Sequence, residues 1–512
     1  MFTRVYDWIA HHANQAPEQV AMVDLFSARE FTYAQFDERV GCLAGYLRTG
    51  LGVERGDRVA VLSANSTDIF EIQFACFRLG AVFLPLNWRL APPELEYIVG
   101  DSTPKVLLCD EDNLEVGRHL QNLLGTQHIV DVRGDGSTSD YEIGIAESLP
   151  VTQMIEQTHD DICTLLYTSG TTGRPKGAII THAMVFWNAT NLGIPMAVSA
   201  DTSFLTVLPL FHTAGLNCNA NPVFHAGGRV LVMRMFEPAQ ALALIGDETV
   251  GVTHFFGVPA IYLFMAQQPD FESADLSRLR GAGVGGAPIS TALIEAWTSR
   301  GVKLQQGYGM TETSPAVLFL RAADCERKIG SAGKPVLHGE TRVVNEDGTE
   351  VSPGEVGELW VRGSHITPGY WNRPEATAEA ITHGWLHTGD AARIDEDGFY
   401  FIVDRWKDMY ISGGENVYPA EVEEVLYQLP MIAEAAVVGV ADDKWGEVGC
   451  AVIVVKEGQR LDETEILAHC VGRLARYKQP KSVVFLEALP RNATGKVLKH
   501  ELRDQVGGII PA

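Results

Sequence analysis

The sequence predicts an α/β protein: a large N-terminal region of mostly parallel sheets, a small β subdomain, and a small α+β unit at the C-terminal end. Three observations predict it. The 512 residues are too many for one compact core. Short apolar runs ending in turn residues alternate with stretches of helical spacing through the first two thirds. After about Gly330 the texture shifts to β-rich runs split by acidic-glycine turns.

Taken in order, "MFTRVYDWIAHHANQAPEQV" reads as an amphipathic helix, since it has neither the unbroken apolar stretch nor the cleavage site of a signal peptide. "DRVAVLSAN" is a strand, "TDIFEIQFACFRLG" a helix and "AVFLPLN" another strand. The same rhythm returns in "RLRGAGVGG", "PISTALIEAWTSRG" and "VKLQQGYG". Repeated βαβ units imply parallel sheets with helices on their faces, and a site at the carboxyl ends of the strands. "TRVVNEDGTEVSPGEVGELWVRG" and "ARIDEDGFYFIVDR" suggest hairpins. Beyond Arg405 come a helix in "PAEVEEVLYQL", strands in "AEAAVVGV" and "CAVIVVKE", and a helix around "TEILAHCVGRLARY".

With 65 acidic against 40 basic side chains the formal net charge is -25, which repels phosphate backbones and anionic lipid. Nucleic acid and constitutive membrane docking are therefore excluded as first readings, and no run reaches the length of a transmembrane segment. Eight scattered cysteines without CxxC spacing read as reduced thiols in a cytoplasmic protein. The glycosylation patterns at Asn65, Asn188 and Asn492 are then chance matches.

The chemistry starts at "YTSGTTGRPKGA", between the apolar runs "DICTLLYT" and "GAIIT". It is not a Walker loop: counting from Gly170, Pro175 stands at the second glycine and Gly177 follows Lys176 where a hydroxyl belongs. Glycines still let backbone amides approach phosphate oxygens, Thr168, Ser169, Thr171 and Thr172 add donors, and Lys176 adds compact charge. A surface turn has the same composition. In "QGYGMTET", Tyr308 could stack on a purine and Glu312 could hold magnesium against triphosphate charge. Asp390, closing "GWLHTGD", could accept from both ribose hydroxyls, and "PRNATGK" presents Lys496. Each has a bland alternative: a core tyrosine, a solvated glutamate, an aspartate closing a turn, a surface lysine. Their occurrence together and in order favours the site.

These motifs resemble the adenylate-forming enzymes, a family of acyl-CoA synthetases, adenylation domains and firefly luciferases. The resemblance covers essentially the whole chain. It implies an adenylation domain at residues 1–404 and a mobile C-terminal domain at 405–512. It further implies that Thr168, Ser169, Gly170, Thr171, Thr172, Gly173 and Lys176 hold the outer phosphates of ATP. Gly286, Ala287 and Pro288 of "GGAPIS" are similar to the adenine-lining segment, together with Gln306, Gly307, Tyr308, Gly309, Met310 and Thr311. Asp390 and Arg405 resemble the ribose contacts, and Glu312 with Thr168 the Mg2+ site. By the same resemblance Lys496 bridges the acid and the α-phosphate, Lys407 of "DRWKDM" is the hinge, and His212 of "PLFHTAG" gates the thiol tunnel. Ser412, Gly413, Gly414, Trp445, Arg476 and Lys478 look like the CoA contacts; for Trp445 a packing role is equally open. Ala493 departs from the proline of many relatives and bears only on turn rigidity.

The expected reaction makes an acyl-adenylate with release of pyrophosphate, then transfers the acyl group to CoA with release of AMP. The acyl pocket is expected from Thr213, Gly215, Asn217, Phe256, Gly257, Val284, Gly285 and Ala316, which carry no charge. A buried ammonium there would lack a partner, which argues against an amino acid. The partners expected are ATP, CoA and a neutral-tailed carboxylic acid, with a fatty acid the first choice because the texture resembles bacterial fatty-acyl-CoA synthetases. An aryl or phenylpropanoid acid is the alternative. A carrier-protein loader, a luciferase-like oxygenase and an inactive binding protein are the other classes. A homodimer is compatible with this reading.

Overall fold

The computed structural model describes residues 3–168, 175–287, 289–405, 408–412, 415–442, 444–491 and 497–507. Contacts divide the chain into two units, Met1–Thr341 with Val361–Leu386, and Arg342–Trp360 with His387–Ala512. The chain passes between them three times, each time inside a strand.

The first unit holds two large sheets. In the nine-stranded one, Leu304–Gly309, Gly281–Gly285, His254–Gly257, Ser203–Thr206, Arg229–Val232 and Val20–Asp24 are neighbours in that order and all parallel. Antiparallel strands complete both edges. The six-stranded sheet runs His128–Asp131, Val106–Cys109, Arg58–Leu62, Val82–Pro85, Ile162–Thr168 and Lys176–Thr181. Its central strands are apolar on both faces and buried, as parallel strands covered by helices must be.

Two expectations are corrected, both at helix ends. The N-terminal helix is only Trp8–Gln15, started by the Asp7 carboxylate accepting from the amides of Ile9 and Ala10. Pro17 disfavours helix at Ala16, and Val20 already belongs to a strand. The strands flanking the phosphate loop, whose relative direction the sequence left open, are antiparallel. The last predicted helix stops at Cys470, where Val471 turns extended and Gly472 takes φ 76°.

In the second unit, Tyr400–Arg405 pairs antiparallel with Trp385–Ile394, the expected hairpin. A further sheet is built on the long hairpin Ile432–Asp442 and Gly446–Val455, with Tyr410–Ser412 and Ser482–Phe485 beside it. Helices Pro419–Leu426, Glu463–Cys470 and Lys499–Gly507 accompany it. Tyr410 lies against Gly439 and Gly449, where an added Cβ would come within 2.4 Å of its Cβ and 2.3 Å of its hydroxyl. No described helix is long and apolar enough to cross a membrane.

Candidate active site

The hairpin Ile162–Thr168 and Lys176–Thr181 pairs Thr168 with Lys176, bracketing the phosphate loop. The Thr168 hydroxyl donates to the Lys176 carbonyl at 3.4 Å. Residues 369–371 lie along the outer side of this hairpin: the Ile179 amide donates to the Gly369 carbonyl, and the Trp371 amide to the Gly177 carbonyl. Gly177 suits this crowding, since a Cβ would meet the Tyr167 ring at 3.1 Å and Trp371 at 3.3 Å. Arg373 anchors the segment through Asp101, which also accepts from the Tyr167 hydroxyl at 2.7 Å.

This packing brings Tyr370 between two of the expected residues. Its hydroxyl donates to Glu312 Oε1 at 2.8 Å, and Lys176 Nζ stands 5.4 Å from its ring centre. Glu312 is buried in the turn Thr311–Thr313, and its carbonyl accepts from the Thr367 amide at 2.7 Å. Burial, then the Glu312 charge, raise the Tyr370 phenol well above its ordinary range, so it remains a donor. The sequence reading missed Tyr370. A signal was present in "TPGYWNRP", where a glycine forced by close packing on Thr377 sets an aromatic hydroxyl in a turn.

On the neighbouring strands, Gly285 pairs with Gly307 and Val284 with Gln306, so the two nucleotide segments emerge side by side at carboxyl ends of parallel strands. A Cβ on Gly285 would sit 2.7 Å from the Gly307 carbonyl oxygen, and one on Gly309 would collide with that of Pro315. Only glycine permits this close floor. Gly286 adopts φ 81° beside Ala287. Gln306, Tyr308 and Met310 are half-buried, and Thr311 is buried. In the second unit Asp390 is buried and lies opposite Arg405 across the antiparallel pair, so both ribose candidates share one hairpin position.

Among the acyl-pocket candidates, Asn217 Nδ2 donates to Thr213 Oγ1 at 3.1 Å. Asn188 links the wall, donating to the Asn217 carbonyl at 2.6 Å and accepting from the Ala316 amide at 3.2 Å. The sequence reading missed Asn188 as well. The Phe256 ring lies across Gly283 and Gly285, with Val284 buried between them and Gly257 packed on Ile261. Gly215 passes so close to the Pro209 carbonyl that no side chain fits. His212 Nδ1 accepts from the Ala214 amide at 3.2 Å, placing the ring proton on Nε2, and burial pushes its pKa down to about 4. It is a neutral ring, able to turn without dragging a charge.

That burial has a measurable consequence. His182, hydrogen-bonded to Gln157 at 3.0 Å, is also pushed by burial down to about 4. Both rings stay neutral in the folded protein while the unfolded chain protonates below pH 6.5. Their contribution to stability is therefore complete above pH 6.5 and is lost as pH falls toward 4. The Asp68 carboxyl, raised to about 7 by burial and then Glu71, acts in the opposite sense over the same range. The readout is thus a difference: His182→Gln should reduce the slope of unfolding free energy against pH by up to ~1.4 kcal/mol per pH unit between pH 4 and 6.5. Urea midpoints across that range check it.

In the second unit, Ser412 is buried and pairs with Glu415 at the head of the hairpin Tyr410–Ser412 and Glu415–Val417. Trp445 is 42% exposed; its backbone amide donates to Asp442 Oδ1 at 2.8 Å and Lys444 Nζ stands 5.1 Å from its ring centre. Arg476 is exposed. Lys478, expected at a CoA phosphate, is held by both oxygens of Glu421 at 2.7 Å, so a phosphate there has a carboxylate to displace. Ser169, Gly170, Thr171, Thr172, Gly173, Pro288, Lys407, Gly413, Gly414 and Lys496 lie outside the described residues, and of Arg405 only the backbone is described.

No group of three or more acidic, histidine or cysteine ligands occurs among the described residues. One buried carboxylate beside a phosphate-binding hairpin is nevertheless what Mg2+ needs, because it keeps its waters and takes its remaining ligands from substrate phosphates. Glu312 fits that ion; the Thr168 hydroxyl, at the hairpin mouth, is turned to the Lys176 carbonyl.

Glycine-floored strand ends, a hairpin that brackets the expected phosphate loop and the buried Glu312 carboxylate are thus the described parts of the expected nucleotide site. The chain belongs to the AMP-binding enzyme family: the model of that name matches residues 9–371, and that of the AMP-binding enzyme C-terminal domain matches 421–496. It is 43% identical over 506 residues to a feruloyl-CoA synthase of Amycolatopsis sp, covering 98% of both chains. It is 38% identical over 508 residues to the long-chain-fatty-acid–CoA ligase FadD13 of Mycobacterium tuberculosis, again covering 98% of both. Among solved structures, ATP-bound MatB from Rhodopseudomonas palustris matches with a TM-score of 0.91 at 31% identity, covering 98% of this chain and 99% of that one. The protein is an AMP-forming acyl-CoA ligase that uses ATP, Mg2+ and CoA.

Proposed function

We propose that the acid is a neutral-tailed monocarboxylate, a fatty acid in the first instance, and that the reaction runs through an adenylate. A carboxylate is a poor electrophile; joining it to AMP supplies a leaving group. Two anions must meet, so fixed positive charge is needed where phosphate charge builds. In this reading Glu312 would hold Mg2+, which would supply positive charge at the triphosphate, while Lys176 stands against the departing pyrophosphate, Asp390 and Arg405 hold ribose, and Lys496 bridges acid and α-phosphate. The domains divide at 404/405, with Lys407 as the hinge. After rotation Gly413 and Gly414 admit the pantetheine arm past His212, and Trp445 stacks on the CoA adenine. A cytoplasmic setting fits eight free cysteines, and a homodimer belongs to the same reading.

The observation that carries the substrate class is the pocket wall. Thr213, Asn217, Phe256, Val284 and Ala316 are buried and none of the eight candidates is charged, so a second carboxylate or an ammonium would be left unpaired. The aryl reading has its own support in the Phe256 ring lying flat over two glycines and in the likeness to the feruloyl-CoA synthase. The test is acyl-CoA and AMP formation with ATP, Mg2+, CoA and a panel of acids. Alkanoates should exceed dicarboxylates and amino acids by about hundredfold or more in kcat/KM. Equal use of a dicarboxylate overturns the proposal; hydroxycinnamates outrunning every alkanoate replaces the fatty acid by the aryl alternative.

A further inference from the structure

Helix Pro419–Leu426 starts without a cap of its own. Proline stands at its first position and Tyr418 offers no side-chain acceptor, so first-turn amides need a partner from elsewhere. Asp404, sixteen residues upstream, supplies one: its Oδ2 accepts from the Ala420 amide at 2.8 Å. The same carboxylate faces Lys499, the first residue of helix Lys499–Gly507, whose Nζ is 4.0 Å from Asp404 Oδ2 and 2.8 Å from Glu423 Oε1. All three side chains are largely buried, at 14, 7 and 17% exposure for Lys499, Asp404 and Glu423. Glu423 Oε1 also accepts from the Val437 amide at 2.7 Å. Burial works against the Lys499 charge, yet the two carboxylates outweigh it and its pKa is raised. One helical turn further on, Arg503 pairs with Asp408 at 3.1 Å.

The order of these residues along the chain gives the cluster its meaning. Asp404 precedes position 407, whereas Ala420, Glu423 and Lys499 follow it. A rotation at Lys407 must therefore separate Asp404 from both its partners, leaving the helix uncapped and Lys499 with Glu423 alone. The Arg503–Asp408 pair lies wholly beyond the hinge and survives.

We infer that Asp404 is a positioning residue, a latch that caps a helix and faces Lys499 across the hinge in one working orientation and lets go in the other. The inference rests on the reading of Lys407 as the hinge. Because the latch favours one orientation, it sets the balance between the two half-reactions. It does not touch the reacting atoms.

The test uses the full-length protein. Pyrophosphate release and thioester formation from a synthetic acyl-adenylate are timed separately in single turnovers. Asp404→Ala should move the ratio of the two rates by about tenfold, the usual worth of a helix cap. Asp404→Asn, which keeps an acceptor but no charge, should move it less and in the same direction. Arg503→Gln should leave the ratio within about twofold. A ratio unchanged in Asp404→Ala at an unchanged urea midpoint overturns the latch, as does an equal fall in both rates with a lowered midpoint. Lys407→Pro separates the underlying reading: if it alters neither rate, the hinge itself is wrong and the latch falls with it. If it alters one while Asp404→Ala does nothing, the latch alone is wrong.

Discussion

Glu312→Gln should slow acyl-adenylate formation by about hundredfold while leaving the fold intact, because the substitution keeps the shape of the side chain and removes only its charge. The Tyr370 hydroxyl can still donate to the amide oxygen, so the 2.8 Å contact and the turn Thr311–Thr313 have no reason to rearrange. What goes is the buried Glu312 carboxylate beside the hairpin, and with it the charge that would draw Mg2+ to the site. The loss should be partly recovered at high Mg2+, and transfer to CoA from supplied acyl-adenylate should stay within about twofold, since no pyrophosphate leaves in that step. Pyrophosphate release measured across a Mg2+ titration checks this. A variant indistinguishable from the unsubstituted protein at low Mg2+ removes Glu312 from the metal site.

The parts of this site that could be read from the chain are those whose chemistry is local. A run of β-branched and apolar residues entering a glycine- and hydroxyl-rich segment reads as a strand ending in a loop, and Ile162–Thr168 is that strand. "GAGVGG" and "QGYG" likewise carry glycines where backbones approach closely: a Cβ added to Gly285 would sit 2.7 Å from the Gly307 carbonyl oxygen. What was illegible depends on partners far along the chain. Tyr370 reaches Glu312 across 58 positions, Asn188 reaches the Ala316 amide across 128, and Lys478 meets Glu421 across 57. Neither end of such a contact has a local pattern to announce it. The antiparallel turn of the phosphate hairpin was hidden for a related reason: the alternation of apolar runs is the same whether the next strand returns beside the last or crosses over a helix. Helix ends were misjudged where one residue outweighs periodicity, at Pro17 and at Gly472.

Lys496→Ala should cost acyl-adenylate formation about hundredfold or more and leave the CoA step within about twofold. The reason is the order in which charge appears. When the acid attacks the α-phosphate, two anions meet and negative charge gathers on the oxygens between them, so a cation has to be brought to the carboxylate. Among the described residues on either side, Arg491 and Val497 pair as an antiparallel bridge and the Leu498 amide donates to the Pro490 carbonyl at 2.9 Å. Arg491 is tied to Glu434 at 3.0 Å, and Lys499 begins the helix that follows. Lys496→Arg should not restore the rate, because a planar fork does not replace a compact ammonium between two anions. In the second half-reaction the thiol meets an adenylate already formed, and the lysine has no anion left to bridge. Single-turnover pyrophosphate release, set against thioester formation from synthetic acyl-adenylate, separates the two. Equal losses in both steps, or formation of ADP in place of AMP, exclude this role for Lys496.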